Sequence, residues 1–174
     1  MRYAAFLRGV FPGNLAMSEL RSCLESAGLR KVRTLLASGN VVFESPAGST
    51  RALERRVEKA MQAHLAKVFM TFVRSEAELE ELVSSDPYRA FRLRADGKRL
   101  VTFMREPPAA DLRLPIEQDG ARLLHVEGVH AFSTYLPNPR GPVFMQLIER
   151  TLGKDATTRS WDTVTKVRAA LRGS

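Results

Sequence analysis

The sequence contains one cysteine, few histidines and no long apolar run, and each scarcity excludes a class of protein. With only Cys23, neither an internal disulfide nor a cysteine-based zinc site can form. The three histidines lack the further ligands that a metal centre needs, so no metal site is predicted. No stretch approaches the roughly 20 apolar residues of a membrane span, and the N-terminal apolar run is too short for a signal peptide. We therefore expect a cytoplasmic protein without a membrane partner.

Motifs of well-known enzyme classes are missing as well. The chain has no nucleophile elbow, P-loop, dinucleotide fingerprint or pair of catalytic carboxylates. No cofactor is predicted for this reason. An enzyme of unassigned transfer chemistry stays an alternative, because hydroxyls and arginines suffice for some transfer reactions.

The chain is strongly basic, with a net charge of +8 and a pI of about 10.2. Such a charge favours anionic partners. The basic residues are spread along the chain rather than gathered in a tail, so the basicity gives only weak support for nucleic-acid binding.

Strand-like and helix-like patterns alternate over the first 73 residues. They predict an order of strand, helix, strand, strand, helix, strand, which is the pattern of a ferredoxin-like βαββαβ sandwich. The predicted strands lie at residues 3–8, 32–37, 40–45 and 68–73, and the helices run from Ser18 to Ala27 and from Ser49 or Thr50 to Ala66. Between the second and third strands, Ser38-Gly39-Asn40 predicts a tight hairpin turn in which Gly39 takes a positive φ.

The second half predicts a smaller α+β unit. Ser75 and Glu78 form a capping box that opens a third helix. Beyond an arginine-rich loop come a strand at 100–104, a hairpin around Gly128, a loop at 137–141, a helix starting at Pro142 and a last helix over 160–171. The predicted fold class is α+β, with a ferredoxin-like subdomain and trailing helix at 1–85 and a smaller subdomain at 86–174 packed against it.

One candidate site follows from the predicted strand order. In a ferredoxin-like sheet the first two strands are parallel with the third between them, so the loop after strand one and the hairpin turn emerge at the same end. That end would present Arg8, Gly9, Ser38, Gly39 and Asn40. A guanidinium and free backbone amides are the parts of an anion site. The alternative is that the glycines are only turn chemistry and Arg8 only a surface charge.

A second candidate site lies before the last helix, in Thr157, Thr158 and Arg159. Hydroxyls and an arginine at a helix N-terminus suit a phosphate or a carboxylate. The alternative is a helix cap, with Thr158 or Ser160 accepting from a helix amide and Trp161 packed in the core.

Two functions follow, and the sequence predicts no oligomeric state for either. The first is a binding protein for a small anionic ligand held between the subdomains. The alternative is a nucleic-acid-associated basic protein, including an RNA-recognition arrangement in which Tyr3 or Phe6 and Phe43 would stack on bases.

The motifs also resemble a bacterial family known as domain of unknown function 1697. The resemblance covers nearly the whole chain, and four segments carry it: Arg8-Gly9, 17–21, 32–43 with Ser38-Gly39-Asn40, and 157–166. It implies an α+β protein of two subdomains without an established activity. The sequence departs from the family pattern in a shorter loop after Gly9, where Gly13 stands for the usual Gly-Gly, and in Ser160, where asparagine is more usual.

Overall fold

The computed structural model describes residues 1–109, 111–137 and 142–173. They group into two compact units, Met1–Val83 with Thr165–Ser174, and Ser84–Val164. The α+β class is confirmed. The units divide after Val83, two residues before the predicted 85/86 division, and the residues of the C-terminal helix from Thr165 onward group with the first unit. Of the predicted loop at 137–141, only Pro137 lies within the described residues.

Unit 1 follows the predicted order of elements from its first strand to its fourth. In chain order these elements, with the helix that follows them, are β1 (Arg2–Leu7), α1 (Met17–Ser26), β2 (Arg30–Leu35), β3 (Asn40–Glu44), α2 (Thr50–His64), β4 (Thr71–Ser75) and α3 (Glu76–Ser85). The strands form one sheet in the order β2-β3-β1-β4, and all neighbours are antiparallel. β3 thus lies between β1 and β2, as expected. The ferredoxin-like assignment itself stays a prediction.

Local sequence signals explain the starts of two of the three helices α1, α2 and α3. The Ser49 hydroxyl accepts from the amide of Ala52 and caps α2. The predicted capping box is confirmed, because the Glu78 amide donates to Ser75 Oγ at 3.2 Å and the Ser75 amide donates to Glu78 Oε2 at 2.7 Å. The prediction that Ser18 caps α1 was wrong: the cap position is Ala16, which makes no side-chain hydrogen bond.

The core of unit 1 lies between one face of the sheet and helices α1 and α2. Alternate residues of the strands point to this face, which is why the hydrophobic stripes of both helices are buried against it. The Cys23 thiol belongs to this core, as predicted, and burial raises its pKa. The main sheet residues of the cluster are Tyr3, Ala5, Leu7, Val41, Phe43 and Val73.

Carboxylates seal the exposed edge of the sheet. β4 is an edge strand, and its outward-facing amides would otherwise be free to pair with another chain. The amides of Thr71, Val73 and Ser75 donate to glutamate side chains at 2.8, 3.1 and 2.7 Å; the acceptors are Glu58, Glu54 and Glu78. Successive outward amides of this strand are therefore paired within the chain. The predicted strand at 68–73 begins three residues and ends two residues before β4, and Val68 lies before the sheet with 43% of its surface exposed.

Unit 2 contains a larger sheet than the sequence predicted. Its elements are β5 (Lys98–Met104), β6 (Ile116–Gln118), β7 (Ala121–Glu127), β8 (His130–Tyr135), α4 (Val143–Leu152) and β9 (Ala156–Ser160). The strand order is β6-β7-β8-β5-β9, and all neighbours are antiparallel. The hairpin around Gly128 was predicted correctly. β6 and β9 were missed, because the sequence predicted only the strand at 100–104 and the two strands of the hairpin.

Helix α4 covers one face of the second sheet. Phe144, Ile148 and Leu152 on α4 pack in a cluster with Met104, Leu123, Ala131 and Ala156 of the strands. The last helix, α5 (Trp161–Arg172), begins in unit 2 and ends in unit 1. Backbone carbonyls in its last turn accept from strand arginines: Arg33 Nη2 lies 2.6 Å from the Ala170 oxygen, and Arg2 Nη1 lies 2.7 Å from the Leu171 oxygen.

Tyr88 is the most strongly perturbed phenol of unit 2. It is buried edge-on against the rings of Phe132 and Trp161, and its hydroxyl donates to the Leu100 carbonyl. Burial raises the pKa of this phenol well above its usual range, with Arg99 acting in the opposite direction. The folded chain therefore keeps this proton at a pH where the unfolded chain has released it.

This difference predicts a loss of stability in alkali. The unfolded chain releases the Tyr88 proton near its ordinary pKa of about 10, so above that pH the free energy of unfolding falls by up to about 1.4 kcal/mol per pH unit from this group. Tyr88→Phe should lack this part of the alkaline slope. Urea unfolding of both proteins on either side of the ordinary tyrosine pKa measures it, and equal slopes would contradict the assignment.

Candidate functional site

The structure brings the residues of the first candidate site together at one end of the strands of the unit 1 sheet. β1 and β2 are both antiparallel to β3, so they run in the same direction and terminate at the same end of the sheet. The Leu7 amide donates to the Gly39 oxygen at 2.8 Å, which joins the end of β1 to the turn between β2 and β3. The Arg8 amide donates to the Met70 oxygen at 2.8 Å, so the segment before β4 lies at the same end of the sheet.

The hairpin turn is longer than predicted and places Asn40 differently. Leu35 pairs with Asn40, so the turn comprises the four residues 36–39, and Asn40 is the first residue of β3 rather than part of the turn. Asn40 is fully buried, and its Nδ2 donates to the Leu35 oxygen at 3.2 Å and to Ser38 Oγ at 2.9 Å. The carboxamide therefore holds the turn together from inside.

Gly39 is required by both its backbone and its neighbours. Its φ is +74°, as predicted, and a Cβ at this position would lie 2.9 Å from Val10 Cβ. Gly9, by contrast, has a φ of +77° with nothing within 4 Å of its missing side chain. The loop that follows Gly9 is organised by Asn14, whose Nδ2 donates to the Gly9 oxygen and whose Oδ1 accepts from the Phe11 amide. Sequence reasoning missed this role of Asn14, although an asparagine after Pro-Gly is a known turn signal.

The second candidate site was predicted with the wrong backbone. Thr157, Thr158 and Arg159 do not precede a helix as a loop; they lie in β9 and pair with Phe103, Thr102 and Val101 of β5. Alternation along the strand places Thr158 on one face and its two neighbours on the other. Ser160 is the residue that caps α5, because its hydroxyl accepts from the Thr163 amide at 3.1 Å.

Arg159 is held by its own strand. Its Nη1 donates to Thr157 Oγ1 at 2.8 Å and to the Thr158 oxygen at 2.9 Å. Burial lowers the pKa of the guanidinium to about 10, so it stays protonated at neutral pH. The two predicted constellations lie in different units, with Arg8, Gly9, Ser38, Gly39 and Asn40 in unit 1 and Thr157, Thr158 and Arg159 in unit 2.

Unit 2 contains a pocket that the sequence did not reveal. Its volume is about 340 Å³, and its lining is mostly apolar: Leu100, Asp119, Ala121, Tyr135, Leu136, Pro142, Val143, Phe144, Met145 and Thr158. The rings of Tyr135 and Phe144 stack at 5.3 Å. Thr158 is the single predicted site residue in this lining, and its hydroxyl lies 2.8 Å from that of Thr102. The pocket depends on the pairing of β9 with β5, which no local pattern indicated.

The RNA-recognition arrangement does not fit the aromatic side chains. Tyr3 and Phe43 stack on each other at 5.8 Å inside the core, and Phe6 is fully buried. None of the three is exposed for a base. In the second hairpin, a bulge after Leu123 places His125 opposite Phe132 and His130 opposite Glu127, so the two histidines do not pair.

Residues 1–109, 111–137 and 142–173 contain neither a cluster of metal ligands nor a membrane-spanning helix. No group of three or more histidine, cysteine, aspartate or glutamate side chains comes together there in a way that could hold a metal ion. Within the same residues, no helix combines the length and the apolar character needed to cross a bilayer.

Comparison with known proteins identifies the family. No curated protein matches the chain. A solved structure, described as that of a conserved bacterial protein from Streptococcus pneumoniae, is similar over 98% of both chains with a TM-score of 0.72 and 22% sequence identity. This likeness shows that the two proteins share a fold. The model of a family described as protein of unknown function (DUF1697) matches residues 1–132, and because that match covers most of the chain, the protein belongs to this family.

Proposed function

We propose that this protein binds a small, largely apolar molecule in the pocket of unit 2. The observation that carries the proposal is the lining: apolar and aromatic side chains surround about 340 Å³, with Thr158, Asp119 and the Tyr135 phenol as the polar groups. Ligand sites of proteins have this character, with volumes of about 300 to 1,000 Å³ and a few polar groups that fix orientation.

The lining also indicates the chemistry of the ligand. The stacked rings of Tyr135 and Phe144 offer aromatic surface to a planar ligand. Thr158 supplies a hydroxyl, and Asp119 supplies a carboxylate that accepts from an N–H or O–H group. None of the ten described lining residues is basic, so a neutral planar molecule with a hydrogen-bond donor fits better than the anion expected from the sequence.

The test fills the pocket from its rim. Val143 is half-buried in the lining, whereas Gln146 is exposed on the same helix and does not line the pocket. Neutral aromatic fragments should bind the parent protein in ligand-observed NMR. Val143→Trp should lower the affinity for those fragments at least tenfold, and Gln146→Trp should leave it unchanged.

A second pair of variants tests the polar end. Thr158→Val should lower the affinity for fragments that bear a hydrogen-bond donor or acceptor by about three- to tenfold, which is the effect of losing one hydrogen bond. Thr158→Ser retains the hydroxyl and should restore the binding. The proposal is overturned if no fragment binds the parent, or if fragments bind the parent and Val143→Trp equally well.

A further inference from the structure

Exposed apolar side chains lie on the connections at the end of the unit 1 sheet where Arg8 follows β1. Of the five large apolar side chains that are exposed among the described residues, three lie on connections at this end of the sheet: Phe11 at 59%, Leu36 at 50% and Val68 at 43%. Single exposed apolar residues are ordinary on protein surfaces, but a contiguous group of them marks an interaction site. We call these three connections, residues 8–16, 36–39 and 65–70, the loop end.

The sheet fixes the spacing of the loop end. Residues 36–39 join β2 to β3, residues 8–16 leave the end of β1, and residues 65–70 enter β4. In the order β2-β3-β1-β4 these strand ends are neighbours, so the three connections lie within about three strand spacings, or roughly 15 Å. The backbone hydrogen bonds from Leu7 to Gly39 and from Arg8 to Met70 tie them together.

The charge of the loop end is positive. The three connections contain Arg8 and Lys67 and no acidic residue. Two carboxylates border it from the helices: Glu58 on α2 accepts from the Thr71 amide, and Glu19 on α1 lies beside His64, Leu65 and Ala66. Apolar side chains on connections that also carry two cations are complementary to a surface that is both apolar and anionic.

Leu36 is held exposed in an unfavourable backbone conformation. Its φ is +58°, in the left-handed region that glycine and asparagine occupy far more readily than leucine. A turn selected only for stability would carry one of those residues here. An exposed leucine at this position is therefore better explained by contact with a partner than by folding.

A lipid surface fits these features better than a nucleic acid. Aliphatic Leu36 and Val68 gain nothing from stacking on bases, which requires aromatic rings, but they gain on entering hydrocarbon. The three side chains project from separate connections, and a fluid bilayer requires no fixed complementary shape. We propose that the loop end binds reversibly to bilayers containing anionic phospholipid, with Phe11, Leu36 and Val68 in the interface and Arg8 and Lys67 at the head groups.

This proposal revises the expectation of no membrane partner. That expectation was based on the absence of a spanning segment, whereas peripheral binding needs only apolar area and attraction to anionic lipid. The lipid contact is separate from the pocket of unit 2, so failure of either proposal leaves the other standing.

Vesicle sedimentation of the full chain tests the proposal. The protein should bind vesicles of phosphatidylcholine with phosphatidylglycerol and bind poorly to phosphatidylcholine alone. Phe11→Ser and Leu36→Asn should each lower the partition coefficient about tenfold, because each removes apolar area from the interface. Leu36→Asn should unfold at the same or a higher urea concentration than the parent, since asparagine accepts a positive φ more readily.

A matched pair of charge variants tests the orientation. Lys67→Ala should lower the partition coefficient about fivefold. Arg55→Ala removes the same charge from an exposed position about two and a half turns before the end of α2 and should have a clearly smaller effect. The proposal is overturned if anionic vesicles do not bind, or if Phe11→Ser and Leu36→Asn bind as the parent does. It is also overturned if the protein does not bind anionic vesicles while the same variants weaken its binding to single-stranded RNA. That result would make the loop end a nucleic-acid site.

Discussion

Glu54→Ala is expected to lower the free energy of unfolding by about 3 kcal/mol, because it removes one member of a buried ion pair and leaves the partner charge in place. Glu54 Oε1 accepts from the Val73 amide at 3.1 Å and lies 3.9 Å from Arg74 Nη1, and both side chains are 3% exposed. Burial lowers the pKa of the Arg74 guanidinium, while Glu78 and Glu54 oppose that effect. The alanine variant would leave the Val73 amide of the edge strand without its acceptor as well. Urea unfolding followed by circular dichroism measures the loss.

Two further variants separate the terms at Glu54. Arg51 contacts the other carboxylate oxygen at 3.3 Å, but its side chain is 46% exposed, so Arg51→Ala should cost less than about 1 kcal/mol. Glu54→Gln keeps an acceptor for the Val73 amide while it removes the charge, and it should lie between the two. If Glu54→Ala cost no more than Arg51→Ala, the buried pair would contribute nothing to stability.

Gly39→Ala is expected to cost about 3 kcal/mol, the sum of a left-handed backbone penalty and overpacking against β1 and its loop. The φ of +74° is unfavourable for alanine, and the new Cβ would lie 2.9 Å from Val10 Cβ and 3.0 Å from Leu7 Cβ. Neither contact can be relieved by a simple side-chain rotation, since each involves a Cβ atom. The free energy of unfolding in urea gives the cost directly.

Gly9→Ala is the matched control for this substitution. Its φ of +77° is nearly the same, but its Cβ would meet nothing within 4 Å. It should therefore show the backbone penalty alone, about 1 to 2 kcal/mol. The difference between the two variants measures how tightly the turn packs on the loop after β1, and equal losses would mean that this packing is unimportant.

The sequence alone predicted those parts of the fold that local chemistry specifies. The apolar spacing of α1 and α2, the Ser49 cap and the Ser75–Glu78 capping box need only neighbouring residues, and each was located within a few positions. The exception is the start of α1, where Ser18 was a plausible cap but Ala16 holds the position. A helix can begin without a side-chain cap when tertiary packing of its apolar face supplies the stability.

The sequence also predicted that the segments of the first candidate site lie close together. Arg8, Gly9 and residues 38–40 do lie at one end of the sheet, because the order of strands and helices along the chain predicted which strands are neighbours. What Asn40 does there was not predictable. A buried carboxamide that holds a turn and an exposed one that holds a ligand look the same in a sequence.

Tertiary structure decided the rest, and long-range pairing is the physical reason. Thr157, Thr158 and Arg159 carry no apolar alternation, so nothing local marks them as a strand; they become one only by pairing with β5, more than fifty positions earlier. That pairing places Thr158 in the lining of the unit 2 pocket. The carboxylates that seal β4 depend equally on where α2 packs. The sequence by itself therefore determined the helices, the positions of the hairpins and the α+β class, while pairing between distant segments determined the edge strands, the pocket and the roles of the candidate residues.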